Sequence, residues 1–359
     1  MAFTDYTLAE LTPQSLTTML RHRPEWASVT VTEVSAEPVG TGQMANSYRL
    51  TLTYAEDAGT APATMIAKIS STDETSRQMA IATGAYQREV FYYQHLSGLS
   101  AARAPQHYFA EIADDRCGFV LLLEDMGPAE MVDQIAGCSA DQADLALAQA
   151  AALHGSSWAH PALREHEWLP GQAAWTQLGG SVPQVTGMWL ERFGQHLQPE
   201  HVSVVQQLGD HVPAWLATLG EHRCLWHGDF RLDNLLFAAQ GGATPIAVVD
   251  WQSVAAAPGV IDVSYFIGNS MAEADRATHE RDLVAEYHRR LLSYGVQGYS
   301  AEQCWLEYQA HAMYGLVLTI PVSLGVQTTE RGDKMFAAMA SRAAEQIRAN
   351  DSYSAIKAL

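Results

Sequence analysis

Apolar and polar residues alternate over 29–34 (VTVTEV) and again over 47–54 (SYRLTLTY), and this period of two predicts a pair of strands. Gly40 and Gly42 between them predict a turn. Residues 62–70 (PATMIAKIS) predict a third strand. Between 73 and 98 the spacing changes: Met79, Ala82, Tyr86, Val90, Tyr93 and Leu96 recur at helical intervals, and Gly98 closes the run. A strand pair over 107–114 and 117–127 follows, joined by a turn at Asp114–Arg116. Beyond Gly127 the pattern becomes mostly helical and rich in Ala and Leu. It begins with a helix that Ser139 caps and Gln142 completes as a capping box. The exceptions are two short apolar runs, 234–238 and 246–252, separated by a glycine-containing turn. The expected fold is α+β: a small antiparallel sheet with one helix in residues 1–126, then a larger, mainly helical region in 127–359. The boundary falls near residues 126–130.

Composition narrows the function. At 359 residues with 48% hydrophobic content, the chain can bury a sizeable core in about two lobes. A net charge of -19 argues against nucleic-acid binding, which needs a basic face. Acidic solubility is the plain explanation of that charge, and a cationic substrate is compatible with it. Cys117, Cys138, Cys224 and Cys304 are too scattered for a zinc motif or a disulfide framework. The start, MAFTDYTLAELTP, lacks the basic and apolar regions of a signal peptide. The most apolar stretch, from Met313, is too short to span a bilayer. A reducing, cytoplasmic setting without membrane attachment is expected.

Lysine is scarce. Only Lys68, Lys334 and Lys357 occur among 21 basic residues, and Lys68 falls inside the strand pattern TMIAKIS. Five features then stand in chain order: the glycine turn at 39–47, Lys68, Glu89, the segment 227–234 (HGDFRLDN), and Asp250 at the end of AVVD. Taken singly, each has an ordinary explanation as a hairpin, a snorkelling lysine, a solvated glutamate, a polar turn or a strand end. Together they meet the needs of phosphoryl transfer, which depends on neutralising and positioning the transferred group. A glycine turn lets backbone N–H groups approach phosphates. A strand lysine held by a helix glutamate can bind them. An Asn amide oxygen and an Asp carboxylate suit Mg²⁺. A further Asp orients the acceptor hydroxyl and takes its proton. Asp229 and Asn234 have the five-residue spacing of the catalytic Asp and metal-binding Asn in protein kinases.

HGDFRLDN together with VVDWQSVAAAPGVIDVSYFI resembles the aminoglycoside phosphotransferase/choline kinase superfamily, and within it the ecdysteroid-kinase-like enzymes. The resemblance runs over nearly the whole chain and implies a protein-kinase-like bilobal fold. It implies ATP and Mg²⁺ as cofactors, Asp229 as catalytic base, and Asn234 and Asp250 as metal ligands. Lys68 and Glu89 would form the phosphate-binding ion pair, with Gly40, Gly42, Asn46 and Ser47 near the phosphates. Residues 121–126 (LLLEDM) would form the hinge, where Glu124 and Met126 meet adenine. Asp262 would brace the catalytic loop, and His227 and His154 would support it.

The chain also departs from kinase patterns. GTGQMANS is not a full glycine-rich loop, and Asp250 and Asp262 leave no room for an activation segment. A small molecule bearing a hydroxyl is therefore the expected acceptor, rather than a protein. Trp251 and Gln252 follow Asp250, where choline kinases usually carry an acidic residue. Trp175, Trp189, Trp251, Trp305 and Tyr314 are open to two readings, as acceptor-stacking residues or as core. Arg231 and Asp233 carry no assigned role. The rival function is a nucleotide-binding pseudokinase serving as an interaction module. Such proteins commonly lose a catalytic or metal-binding residue, and this chain keeps them.

Overall fold

The computed structural model describes residues 6–40, 44–56, 58–170, 172–220, 224–326 and 328–359. The expected contribution of Gly42 and the opening residues 1–5 lie outside these. The chain divides into two compact units. The first comprises residues 1–97, 104–128 and 250–253, and the second comprises 98–103, 129–249 and 254–359.

The first unit is built on a five-stranded antiparallel sheet. Helix α1 (Pro13–Leu20) precedes β1 (Val31–Pro38), β2 (Ala45–Tyr54) and β3 (Thr64–Ser70). Helices α2 (Glu74–Thr83) and α3 (Ala85–Phe91) follow, then β4 (His107–Ile112) and β5 (Phe119–Glu124), in the spatial order β1-β2-β3-β5-β4. Leu50, Leu52, Met65, Ala67, Ile69, Val120 and Leu122 fill one face of the sheet, against Leu16, Met19 and Leu20 of α1. The alternation in β2 and β3 therefore points inward to a real core. Two features differ from the sequence expectation. Helix α1 is additional, started by Thr12, whose hydroxyl accepts the Ser15 N–H, with Pro13 at the first helical position. The expected single helix over 73–98 is broken at Gly84, which adopts φ +72°, where glycine pays no Cβ penalty, and it ends in a π-turn over Tyr92–Leu96.

The second unit is mainly helical, and its first strand is the two-residue β6 (Glu130–Met131). Then come α4 (Ala140–Ser156), α5 (Gln172–Phe193) and α6 (Pro199–Ala217). The strands β7 (Cys224–Trp226), β8 (Leu235–Ala239), β9 (Thr244–Val248) and β10 (Ala255–Ala257) precede α7 (Val260–Ser270) and α8 (Glu273–Ser293). Helices α9 (Ala301–His311), α10 (Tyr314–Gly325), α11 (Glu330–Ala349) and α12 (Ser352–Ala355) complete the chain. The expected capping box opens α4: the Ser139 hydroxyl accepts the Gln142 N–H at 3.2 Å, and Gln142 Oε1 accepts the Ser139 N–H at 3.1 Å. Strands β8 and β9 form the expected hairpin, to which β6 adds an edge, while β7 pairs with β10. Strands of two or three residues are too short to show a period, so the sequence pattern did not reveal β6, β7 and β10. Helix α7 is buried along its entire length, which makes it a rigid post behind the segment that links β7 to β8. Among the described residues, no helix is long and apolar enough to cross a membrane.

Candidate active site

In the first unit, Lys68 projects from β3, opposite Ser47 of β2. Its ammonium lies 2.7 Å from Glu89 Oε2 on α3 and 2.9 Å from Asp250 Oδ1. Glu89 is buried and Lys68 nearly so. Burial works against the Lys68 charge, but the two carboxylates outweigh it and raise its pKa above the ordinary lysine value. Burial pushes Glu89 above the ordinary glutamate value, Asp250 adds to that, and Lys68 pulls it back. Asp250 sits at φ +68°, a left-handed conformation that Asp tolerates better than most residues. Its Oδ2 accepts the Gln252 side-chain amide at 3.1 Å. Trp251 is buried and stacks on Tyr92, with ring centroids 3.9 Å apart. The Arg88 Nε–H donates to the Gln252 carbonyl at 2.7 Å, so α3 and the π-turn after it both hold the segment after Asp250.

The other first-unit candidates are spread along the same sheet. Gly40 follows β1 at φ +75°, and Asn46 Nδ2 donates to Thr72 Oγ1 at 3.3 Å. Glu124 ends β5, where its Oε2 accepts the Gln106 N–H at 3.0 Å, and Met126 is buried. Between them Asp125 takes two bonds from Arg49 of β2, Nε to Oδ2 at 2.7 Å and Nη2 to Oδ1 at 3.1 Å. Its Oδ1 also accepts the Gly127 N–H at 2.9 Å.

In the second unit, the segment HGDFRLDN links β7 to β8 and is held at nearly every residue. Asp262 of α7 receives the backbone N–H groups of His227 and Gly228, at 2.8 and 3.0 Å. The same carboxylate meets His154 Nε2 of α4 at 3.2 Å, while His154 Nδ1 meets the Tyr287 hydroxyl at 2.9 Å. His227 Nδ1 accepts the Asp229 N–H at 3.3 Å, which leaves Nε2 as the protonated nitrogen, donating to the Val249 carbonyl at 3.0 Å. Tyr314 donates to the Gly228 carbonyl at 2.5 Å, and the Leu232 N–H donates to Gln134 Oε1 at 2.9 Å. Asp262, His227 and His154 are thus all joined to this loop.

Asp229 is surrounded by donors. Asn234 Nδ2 donates to its carbonyl at 2.8 Å and to Oδ2 at 3.0 Å. The Tyr265 hydroxyl donates to Oδ1 at 3.0 Å, and the Arg231 Nε–H reaches both oxygens at 3.1 Å. Burial raises the carboxyl's pKa, but Arg231, His227 and the Tyr265 hydroxyl together hold it below the ordinary aspartate range. Burial and the Asp229 charge push Tyr265 far above the ordinary phenol value, so it remains an O–H donor. Sequence reasoning missed Tyr265 and Gln134, and it named Tyr314 only as a stacking or core aromatic, without its bond to the loop. The available signal for Tyr265 was its position one helical turn after Asp262.

The aromatic candidates divide. Trp189 is core, donating to Ser323 Oγ at 2.9 Å, and Trp305 lies under the Arg281 guanidinium at 4.1 Å. Trp175 and Tyr314 pack on Trp226, the residue before His227, with centroids 4.5 and 4.9 Å away.

This antiparallel sheet followed by a helical part is the fold of the protein-kinase-like phosphotransferases. The chain belongs to the ecdysteroid kinase-like family, whose model matches residues 40–169 and 181–295. Comparison with curated proteins gives no match. Among solved structures, the chain is similar to a microcompartment-associated aminopropanol kinase, with 16% identity and a TM-score of 0.52 over 94% of this chain and 98% of that one. It is also similar to a choline kinase from Cryptosporidium parvum Iowa II, with 11% identity and a TM-score of 0.53 over 92% and 94%. A third is a spectinomycin phosphotransferase in complex with ADP and spectinomycin, with 13% identity and a TM-score of 0.50 over 94% and 98%. At these identities the likeness concerns the fold.

Proposed function

We propose that the protein is an ATP- and Mg²⁺-dependent kinase that transfers the γ-phosphoryl group to a hydroxyl of a small molecule. The observation that carries this reading is the joining of Asp229 to Asn234 within one braced loop, at 3.0 Å between Oδ2 and Nδ2. That bond spends the amide nitrogen of Asn234 and leaves its carbonyl oxygen, a hard donor, as the atom suited to magnesium. Asp250 supplies a carboxylate of the same kind. Among the described residues, no three His, Cys, Asp or Glu side chains form a metal cage. This fits an ion that enters with the triphosphate and takes most of its ligands from phosphate and water.

Magnesium, when bound, would neutralise charge on the triphosphate. The chain's own residues do the rest. Lys68, fixed by Glu89, binds the α- and β-phosphates. The hinge around Glu124 and Met126 receives the base, and Gly40, Asn46 and Ser47 line the approach to the phosphates. Asp229 accepts a hydrogen bond from the acceptor hydroxyl and orients its oxygen toward the γ-phosphorus. As the new P–O bond forms, the bond to the β-phosphate oxygen breaks, ADP departs, and the hydroxyl proton passes to Asp229. A carboxylate held below its usual pKa suits this late proton acceptance, because a loose transition state asks for orientation more than for a strong base. The solved relatives named above are kinases or phosphotransferases of small molecules, which supports this acceptor class.

The test is ADP release from Mg-ATP across a panel of amino alcohols, aminoglycosides and sterols, with wild type and Asp229→Asn. The expected result is turnover of at least one acceptor by wild type. The variant should lose it by about 10³-fold while still being stabilised thermally by Mg-ATP. Wild-type turnover in Asp229→Asn would remove the assignment. Stabilisation by Mg-ATP without turnover of any acceptor by wild type would favour the pseudokinase.

A further inference from the structure

Among the described residues, Arg231 is the one charged group touching Asp229 that the proposed transfer leaves unused. The χ2 torsion of an aspartate is broad and roughly two-fold, so a free carboxylate does not hold one plane. Here three donors set that plane, with Tyr265 on Oδ1, Asn234 on Oδ2 and the Arg231 Nε–H shared between both oxygens. Of the three, Arg231 alone spans the carboxylate, so any rotation of Asp229 breaks at least one of its contacts. The guanidinium is itself held from the far side. Its Nη1 donates to Asp233 Oδ2 and lies 3.6 Å from Met335 Sδ. The order Asp229, Arg231, Asp233 thus places a planar cation between two carboxylates, a geometry that a point-charge lysine does not reproduce. About one fifth of each of these three side chains stays exposed, so the carboxylate is fixed without being sealed off.

We infer that Arg231 is a positioning residue for the proposed transfer: it locks the plane of the Asp229 carboxylate toward the acceptor hydroxyl, with Asp233 as its anchor. This rests on the reading of Asp229 as the group that orients the acceptor. Removing the lock leaves Asp229 present and the nucleotide-binding residues untouched. The loss should therefore fall on kcat, with the nucleotide's affinity unchanged.

The experiment compares full-length wild type, Arg231→Gln and Arg231→Lys. It uses whichever alcohol of the panel wild type phosphorylates, together with Mg-ATP thermal shift and crystal structures of all three proteins. In Arg231→Gln we expect kcat to fall about 100-fold, the usual scale for a misplaced reacting group. The Mg-ATP shift should be preserved, and the Asp229 carboxylate should rotate out of its wild-type plane. Arg231→Lys should regain part of kcat, because it keeps the charge but loses the fork. Wild-type kcat in Arg231→Gln, or an unrotated Asp229 in its crystal structure, would overturn the inference. Loss of the Mg-ATP shift in parallel with kcat would also overturn it, by showing a general structural role. A wild-type protein that phosphorylates no alcohol would instead overturn the kinase reading, a failure visible before any variant is made.

Discussion

The Asp262 carboxylate accepts the backbone N–H of His227 at 2.8 Å, and its second oxygen takes the next N–H, from Gly228, at 3.0 Å. Two consecutive amides need two acceptor atoms, and a carboxylate has two. An amide side chain has one acceptor and one donor, so Asp262→Asn sets an NH₂ against one of these buried N–H groups. We expect a loss of about 3 kcal/mol, measurable as a lower urea midpoint. Turnover should fall as well, since the loop carrying Asp229 loses its fixed start. Unchanged stability would show that the brace is dispensable.

Lys68 offers a test with a pH signature. Lys68→Met removes the cation between Glu89 and Asp250 and should cost about 3–5 kcal/mol at pH 7, the usual result of breaking a buried pair. Burial and Asp250 already raise Glu89 above its ordinary value in the folded protein. Without Lys68 that rise is larger. A group whose folded pKa exceeds its unfolded one stabilises most at low pH and loses that contribution as pH rises through the folded pKa. The deficit of Lys68→Met relative to wild type should therefore narrow from pH 7 to pH 5. Urea titrations at the two pH values check it, and a constant deficit would contradict the assigned role of Glu89.

The candidate site residues were easier to pick out of the sequence than the fold's small parts. Lys68, Glu89, Asp229, Asn234 and Asp250 stood out as polar residues in a chain order that the proposed phosphoryl transfer would use, and the structure ties Lys68 to Glu89 and Asp250, and Asp229 to Asn234. Strands β1 and β2 showed because they are long enough for alternation, and β3 and β5 showed as apolar runs. The helix α1 was missed although Thr12 and Pro13 announced it, since only eight residues follow. The break at Gly84 was hidden by helical spacing that continues on both sides. Tyr265 and Arg231 could not be assigned, because a hydroxyl or guanidinium gains its meaning from the carboxylate it meets in three dimensions. The same holds for Gly259, one residue before α7.

A methyl group on Gly259 would stand 2.5 Å from His154 Cγ and 2.8 Å from Cys224 Sγ, both buried. His154 cannot move without disturbing its bond to Asp262. Gly259→Ala should destabilise by about 1–3 kcal/mol, the cost of overpacking a filled core. Gly180 within α5 is the control, because an added methyl group there meets nothing. Gly180→Ala should stabilise by about 0.5–1 kcal/mol through the helix preference of alanine. Thermal unfolding of both variants decides, and equal effects would rule out steric crowding as the cause.

Asp125 gives the last prediction. Burial raises this carboxyl's pKa, but the Arg49 fork, the Gly127 N–H and the Thr64 hydroxyl outweigh it and hold it below the ordinary aspartate value. A Cβ on Gly127 would collide with the Arg49 guanidinium, so the arginine packs directly over the proposed hinge. A depressed folded pKa means that the unfolded chain takes up its proton first as pH falls. The stabilisation is therefore fully present above the unfolded value of about 4 and is lost as pH drops through the folded one. Arg49 is more than one third exposed, so water screens the pair, and its contribution should be about 1 kcal/mol. Asp125→Asn should lie below wild type by about that amount between pH 5 and 7, and the two urea midpoints should converge below pH 4. A gap that persists at pH 3 would mean that packing, and not the charge on Asp125, holds the hinge segment.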